Sequence, residues 1–155
     1  MKGDNIPRCV MAIYIYGDEL QPKDVTEALG LEPRSCAVKG DVRAVVDGKE
    51  IKEKRGRWSY RLLDYTSDIE DLIFAFLQKI PPDVSIMDIK GVDDAALYLL
   101  VIQDMTLDND SEVWIILSPR IYTLLAKIGI RFEMYIAHVD KEYKDPVQNP
   151  EVGNA

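Results

Sequence analysis

The stretch Gly17-Asp18-Glu19-Leu20-Gln21-Pro22, continued through Gly30-Leu31-Glu32-Pro33, Lys39-Gly40-Asp41 and Gly56-Arg57-Trp58, decides how this chain reads. Its glycines and prolines stand where a chain turns, and Trp58 stands where a strand anchors. Pro22 suits the first position of a helix, where its missing N–H costs nothing. Val25, Ala28 and Leu29 form a short apolar stripe, and Gly30 is placed to close the helix in left-handed backbone. Glu32-Pro33 breaks the chain, and residues 35–38 read as a short strand. Asp47-Gly48 between two β-prone runs, 42–46 and 49–54, signals a hairpin, because both central residues of its turn need positive φ. The second arm is very polar, so the hairpin should project from the body. Residues 57–63 form the next strand, with Trp58, Tyr60 and Leu62 on one face.

Working outward, residues 9–16 are apolar on both alternating faces and read as a strand well inside a sheet. Ser67-Asp68-Ile69-Glu70 has the form of a capping box. The helix after it carries Ile69, Leu72, Ile73, Phe76, Leu77 and Ile80 on one face and stops at Pro81-Pro82. Residues 84–89 suggest a short strand, and the run 95–103 a buried central one. Residues 113–117 suggest another strand. Ser118 then caps a third helix opened by Pro119, striped by Ile121, Leu124, Leu125 and Ile128 and stopped by Gly129. Residues 130–137 alternate a dry row (Ile130, Phe132, Met134, Ile136) with a wet one (Arg131, Glu133, Tyr135, Ala137). The organisation expected is a loose lead-in at 1–8, one domain at 9–137 and a polar, mobile tail at 138–155. The expected fold is α+β, with a mostly antiparallel sheet and about three helices on one face. Leu20-Gln21-Pro22, helix, Gly30 is echoed by Leu117-Ser118-Pro119, helix, Gly129, which suggests an internal duplication of a strand-helix-strand unit.

A length of 155 residues suits one core. No apolar run is long enough to span a membrane. The N-terminus lacks the apolar core and cleavage site of a signal peptide, so a cytoplasmic location is expected. Cys9 and Cys36 lie in apolar strand-like contexts and are expected as reduced core residues. The net charge of -8 is uneven: residues 1–62 hold twelve Lys/Arg against ten Asp/Glu, and residues 63–155 hold seven against seventeen. Such acidity disfavours nonspecific nucleic-acid binding and favours a basic partner.

Motifs for catalysis are sparse. One His and two separated Cys do not make a zinc site. No phosphate-binding glycine loop and no nucleophile motif occurs. The run Asp108 to Glu112 lacks the glycine and the bidentate Glu of a calcium loop. No metal and no cofactor is therefore expected. Asp41, Glu50 and Lys52 could serve a metal-dependent nuclease, but alternating charge is equally what an exposed edge strand needs. A cationic aromatic patch could form from Lys39, Asp41, Arg43, Arg57, Trp58 and Arg61. Against that, Trp58 could anchor the core while the arginines face water. Asp83, Asp88, Asp93, Asp94, Asp108, Asp110 and Glu112 are the candidate acidic partner surface.

The ordered set Gly17-Asp18, Leu20, Pro22, Leu29-Gly30-Leu31-Glu32-Pro33, Lys39-Gly40-Asp41 and Gly56-Arg57-Trp58 resembles a bacterial family, the domain of unknown function numbered 4279. The Leu117-Ser118-Pro119 to Gly129 unit resembles that family's second half. The charged hairpin arm after Asp47-Gly48 departs from it. The resemblance implies no catalytic residues, and members of this kind resemble immunity proteins near bacterial toxin systems. The expectation is a non-catalytic cytoplasmic binding protein that neutralises a basic toxin through its acidic surface. The rivals are a small-ligand- or peptide-binding accessory domain with a pocket near Trp58, and the nuclease.

Overall fold

The computed structural model describes residues 8–65, 68–104 and 115–139. Its elements are β1 (Arg8–Gly17), α1 (Pro22–Leu29), β2 (Ser35–Ala37), β3 (Val42–Val46), β4 (Lys49–Lys52), β5 (Gly56–Tyr65), α2 (Ile69–Leu77), β6 (Asp94–Asp104), α3 (Pro119–Ile128) and β7 (Arg131–Val139). The main sheet has the order β2-β5-β1-β6-β7. β1 pairs antiparallel with β5 and β6, and β2 pairs antiparallel with β5; β7 alone runs parallel to its neighbour, β6. This is the mostly antiparallel α+β architecture read from the sequence.

Alternation splits the sheet into two faces. Cys9, Met11, Ile13 and Ile15 of β1 point to one side with Trp58 of β5 and Ala95, Leu97, Leu99 and Val101 of β6. The buried stripes of all three helices join this single cluster: Val25 and Leu29, then Ile69, Leu72, Ile73, Phe76 and Leu77, then Ile121, Leu125 and Ile128. Apolar area withdrawn from water here is the main stabilising term of the fold.

The caps follow from local chemistry. Pro22 and Pro119 open their helices, and Gly30 (φ 64°) and Gly129 (φ 71°) close theirs in left-handed backbone. The two echoed units land differently. β2 runs in the direction of β1 but lies beyond β5, whereas β7 settles directly beside β6. The β3–β4 hairpin forms its own two-stranded sheet, turned by Asp47 (φ 51°) and Gly48 (φ 75°), with every residue exposed. It projects, as its polarity requires.

Several expectations are corrected. Residues 84–89 form no strand; Ile86–Asp88 is a 3₁₀ turn closed by Asp88 N–H to Ser85 O, and Ile86 is fully buried. Residues 115–117 have no regular structure, while 113 and 114 lie outside the described residues. Ser67 lies outside them too; Asp68 caps α2, its carboxylate accepting from the Asp71 N–H at 3.0 Å. Glu70 turns instead to α3, accepting from the Ser118 N–H at 3.0 Å, the Ser118 hydroxyl at 2.7 Å and Arg120 Nε at 2.8 Å. The Ser118 hydroxyl thus tethers α3 to α2 and does not cap its own helix. Cys9 is buried as expected, but Cys36 is exposed because β2 is an edge strand. The first strand starts at Arg8, and the last runs through Val139, past the expected boundary at Ala137. Residues 1–7 and 140–155 lie outside the described residues.

Candidate functional site

The second face of the sheet carries no described helix. It is built from Val10, Ala12, Tyr14 and Tyr16 of β1, Arg57, Ser59, Arg61 and Leu63 of β5, Ala96, Tyr98, Leu100 and Ile102 of β6, and Arg131, Glu133 and Tyr135 of β7. Four tyrosines from three strands meet here in a diagonal row. Tyr135 stacks on Tyr98 with ring centroids 5.8 Å apart, and Tyr98 meets Tyr14 edge-on at 5.1 Å. Tyr14 lies parallel to Tyr16 at 6.5 Å, and the Arg55 guanidinium sits over the Tyr16 ring at 5.9 Å. The small side chains of Ala12 and Ala96 between them are buried, so the rings stand over a low, dry floor. Tyr135 is the most open of the row at 53% exposure.

Charged groups fix the ends of the row. Arg131 donates to Asp94 at 2.6 Å and to Glu133 at 2.6 Å, and the Tyr135 hydroxyl donates to Glu133 at 2.9 Å. The bond from Arg131 holds the Asp94 carboxyl below the usual carboxylate range. Glu133 is lowered by Arg131 first and by Tyr135 second. The bond to Glu133 raises Tyr135, and burial raises Tyr16, so both keep their protons well above neutral pH. At the other end Arg57 donates to Glu53 at 3.0 Å and to the Ser35 hydroxyl. The result is a platform of rigid aromatic rings with hydroxyl rims, suited to holding a surface.

The structure disperses the expected cationic patch. Trp58 is fully buried on the helix face, and its indole N–H donates to Thr26 Oγ1 at 3.0 Å. Arg57 and Arg61 leave the same strand toward the opposite, tyrosine face. Lys39 pairs with Asp18 at 2.7 Å, Asp41 accepts from the Val38 N–H at 2.8 Å, and Arg43 sits out on the hairpin. The pocket at Trp58 is therefore withdrawn: a buried, bonded indole presents no surface to a ligand. Glu50 and Lys52 pair with each other at 3.8 Å on the exposed hairpin. Among the described residues no three of His, Cys, Asp and Glu are grouped to hold a metal ion.

The acidic surface is also rearranged. Asp93 accepts from the Asp18 N–H at 2.9 Å and pairs with Arg55 at 3.6 Å, and Asp94 is engaged by Arg131. Asp83 and Asp88 are exposed on the α2–β6 connection. Asp108, Asp110 and Glu112 lie outside the described residues. A shallow cleft of about 350 Å³ is lined by Asp68, Glu70, Asp71, Ile115, Ile116 and Arg120; Arg120 is bonded to Glu70 and Asp71 at 2.8 Å each, and Asp68 accepts from the Asp71 N–H, so its polar groups are engaged with one another. No described helix is long and apolar enough to cross a membrane.

Sequence reading passed over the tyrosine row because residues 9–16 look equally apolar on both faces. The available signal was the residue type: Tyr14, Tyr16, Tyr98 and Tyr135 carry hydroxyls that a doubly covered strand has to satisfy. No curated protein and no solved structure matches this chain. The model of the family described as Domain of unknown function (DUF4279) matches residues 7–137, which takes in every element from β1 to α3 and most of β7, and the chain belongs to that family.

Proposed function

We propose that this chain is a non-catalytic binding protein that holds a protein partner against the tyrosine face. The observation that supports it is the contacting row Tyr16, Tyr14, Tyr98 and Tyr135 on a face that no described helix covers. Tyrosine and arginine are the side chains that concentrate binding energy at protein interfaces. Arg131, Asp94 and Glu133 on this face are engaged with one another and with the Tyr135 hydroxyl, which holds that end of the row in place. The net charge of -8 favours a basic partner, whose approach it would accelerate. A bacterial immunity protein that masks a basic toxin in the cytoplasm fits both features.

The test is affinity capture from the native cell with the wild-type chain and with a Tyr14→Ala/Tyr98→Ala/Tyr135→Ala chain. A basic protein recovered by the first and lost by the second is the expected result, followed by titration of the purified pair. Capture that is indifferent to the three substitutions, or binding of single-stranded oligonucleotides in place of a protein, overturns the reading.

A further inference from the structure

The two edges of the main sheet are built differently. β2 closes one side with three residues, entered from Pro33 and left through the Lys39-Gly40-Asp41 turn. So short an edge resists pairing with another chain. β7 closes the other side with nine residues and contains neither proline nor lysine. Among the described residues its strand neighbour is β6 alone. Its charged groups, Arg131 and Glu133, fall in its first three positions and are bonded to each other. Beyond them Met134, Tyr135 and Ile136 are 43%, 53% and 47% exposed, three large apolar side chains in succession on both faces of an edge strand. The β3–β4 hairpin also exposes apolar residues, Val45 and Ile51 among them. It is protected by Lys49, Glu50 and Lys52 on one strand and by a register irregularity between Val42 and Ala44 on the other. These are the devices that keep an edge from pairing, and the second half of β7 has none of them.

We infer that β7 pairs antiparallel with β7 of a second copy of this chain, about a two-fold axis at Tyr135. Facing residues in such a pair share a sheet face, so the axis passes through a residue. Through Glu133 it would set two carboxylates opposite each other, which is destabilising. Through Tyr135 it sets Met134 of each copy against Ile136 of the other and Glu133 against Ala137, with no like charges facing. The exposed apolar residues of both faces are then covered by their own counterparts. The pairing doubles the five-stranded sheet and joins the two open faces on one side. Each tyrosine row, ending at Tyr135, then meets the Tyr135 of the second copy, which thereby contributes rings to the binding platform. This dimer stands whatever the platform binds, because oligomeric state is read without a ligand.

Sedimentation of the full chain from micromolar to near-millimolar concentration is the direct test. A concentration-dependent dimer is expected, converted to monomer by Met134→Lys/Ile136→Lys with an unchanged far-UV spectrum. Oxidation of the Cys36→Ser/Tyr135→Cys chain should give a covalent dimer, since facing Cα atoms of an antiparallel pair lie about 4.5–5.5 Å apart, within disulfide reach. This second arm decides the matter if the lysine pair unfolds the protein. A full chain that stays monomeric throughout overturns the inference. So does a dimer abolished by Val45→Lys/Ile51→Lys, or a Cys36→Ser/Tyr135→Cys chain that fails to cross-link on oxidation.

Discussion

The two faces of the main sheet are made by the same strands and meet different surroundings. On the covered face Cys9, Met11, Ile13 and Ile15 have almost no exposure, because three helices lay their stripes on them. On the open face, one residue along each strand, Tyr14, Tyr16 and Tyr98 remain half-buried and Tyr135 stays in water. Helices account for the burial of the first face, but not for all burial in the sheet: Val10, Ala12, Ala96 and Ile102 on the tyrosine face are buried as well, so the contrast between the faces is carried by the tyrosines. Substitutions on the covered face should register as lost stability, and those on the open face as lost binding.

The largest expected effect lies on the covered face. Trp58→Ala leaves a cavity at a fully buried site and strands the Thr26 hydroxyl, and should cost about 3–5 kcal/mol in denaturant unfolding. A loss near zero would break the comparison at its strongest point. Next comes Gly17→Ala. A methyl there would sit inside the Gly91 carbonyl, and Gly91 in turn lies against the backbone of Glu19. Neither backbone can yield without opening the junction of β1 and β6, where the Asp93 N–H donates to Tyr16 O at 2.9 Å, so a cost of roughly 3 kcal/mol is expected. Tyr135→Ala on the open face should behave oppositely. It forfeits one aromatic pair, about 1 kcal/mol of stability, while weakening the purified partner complex by about 30-fold, the scale of a hot-spot residue. Equal losses in stability and binding would erase the distinction between the faces.

A smaller, pH-dependent effect sharpens the covered side. The bonds from Ser118 and then Arg120 hold the Glu70 carboxyl below its ordinary range. A carboxylate lowered on folding contributes stability at neutral pH and down to its unfolded value, and that contribution is lost as pH falls through the folded one. Wild-type unfolding free energy should therefore drop below about pH 4, and Glu70→Gln should flatten that drop. Parallel curves for the two proteins would show that the tether between α2 and α3 carries no weight.

Much of the architecture was legible because it is written in local chemistry. Pro22 with Gly30, and Pro119 with Gly129, mark both ends of two helices through effects confined to single residues. Asp47-Gly48 marks its hairpin for the same reason. The 3₁₀ turn at Ile86–Asp88 was not legible, since the short run Val84 to Ile89 holds three β-branched residues, Val84, Ile86 and Ile89, enough to pass as a strand. Only the depth of Ile86 in the core reveals its role. Glu70 was assigned to a box at its own helix start. Its actual partners, Ser118 and Arg120, lie 48 and 50 residues away, a distance no local pattern spans.

The sequence by itself determined the α+β class, the helix ends, the projecting hairpin and the family, because turns, caps and short ordered motifs depend on neighbours along the chain. The tertiary structure alone decided which face of each strand is covered. It parted Trp58 from Arg57 and Arg61, tied Asp93 and Asp94 to arginines, and gathered Tyr14, Tyr16, Tyr98 and Tyr135 into one row. The physical reason is that a strand has two chemically similar faces until helices pack on one of them, and that choice rests on contacts between residues far apart in sequence.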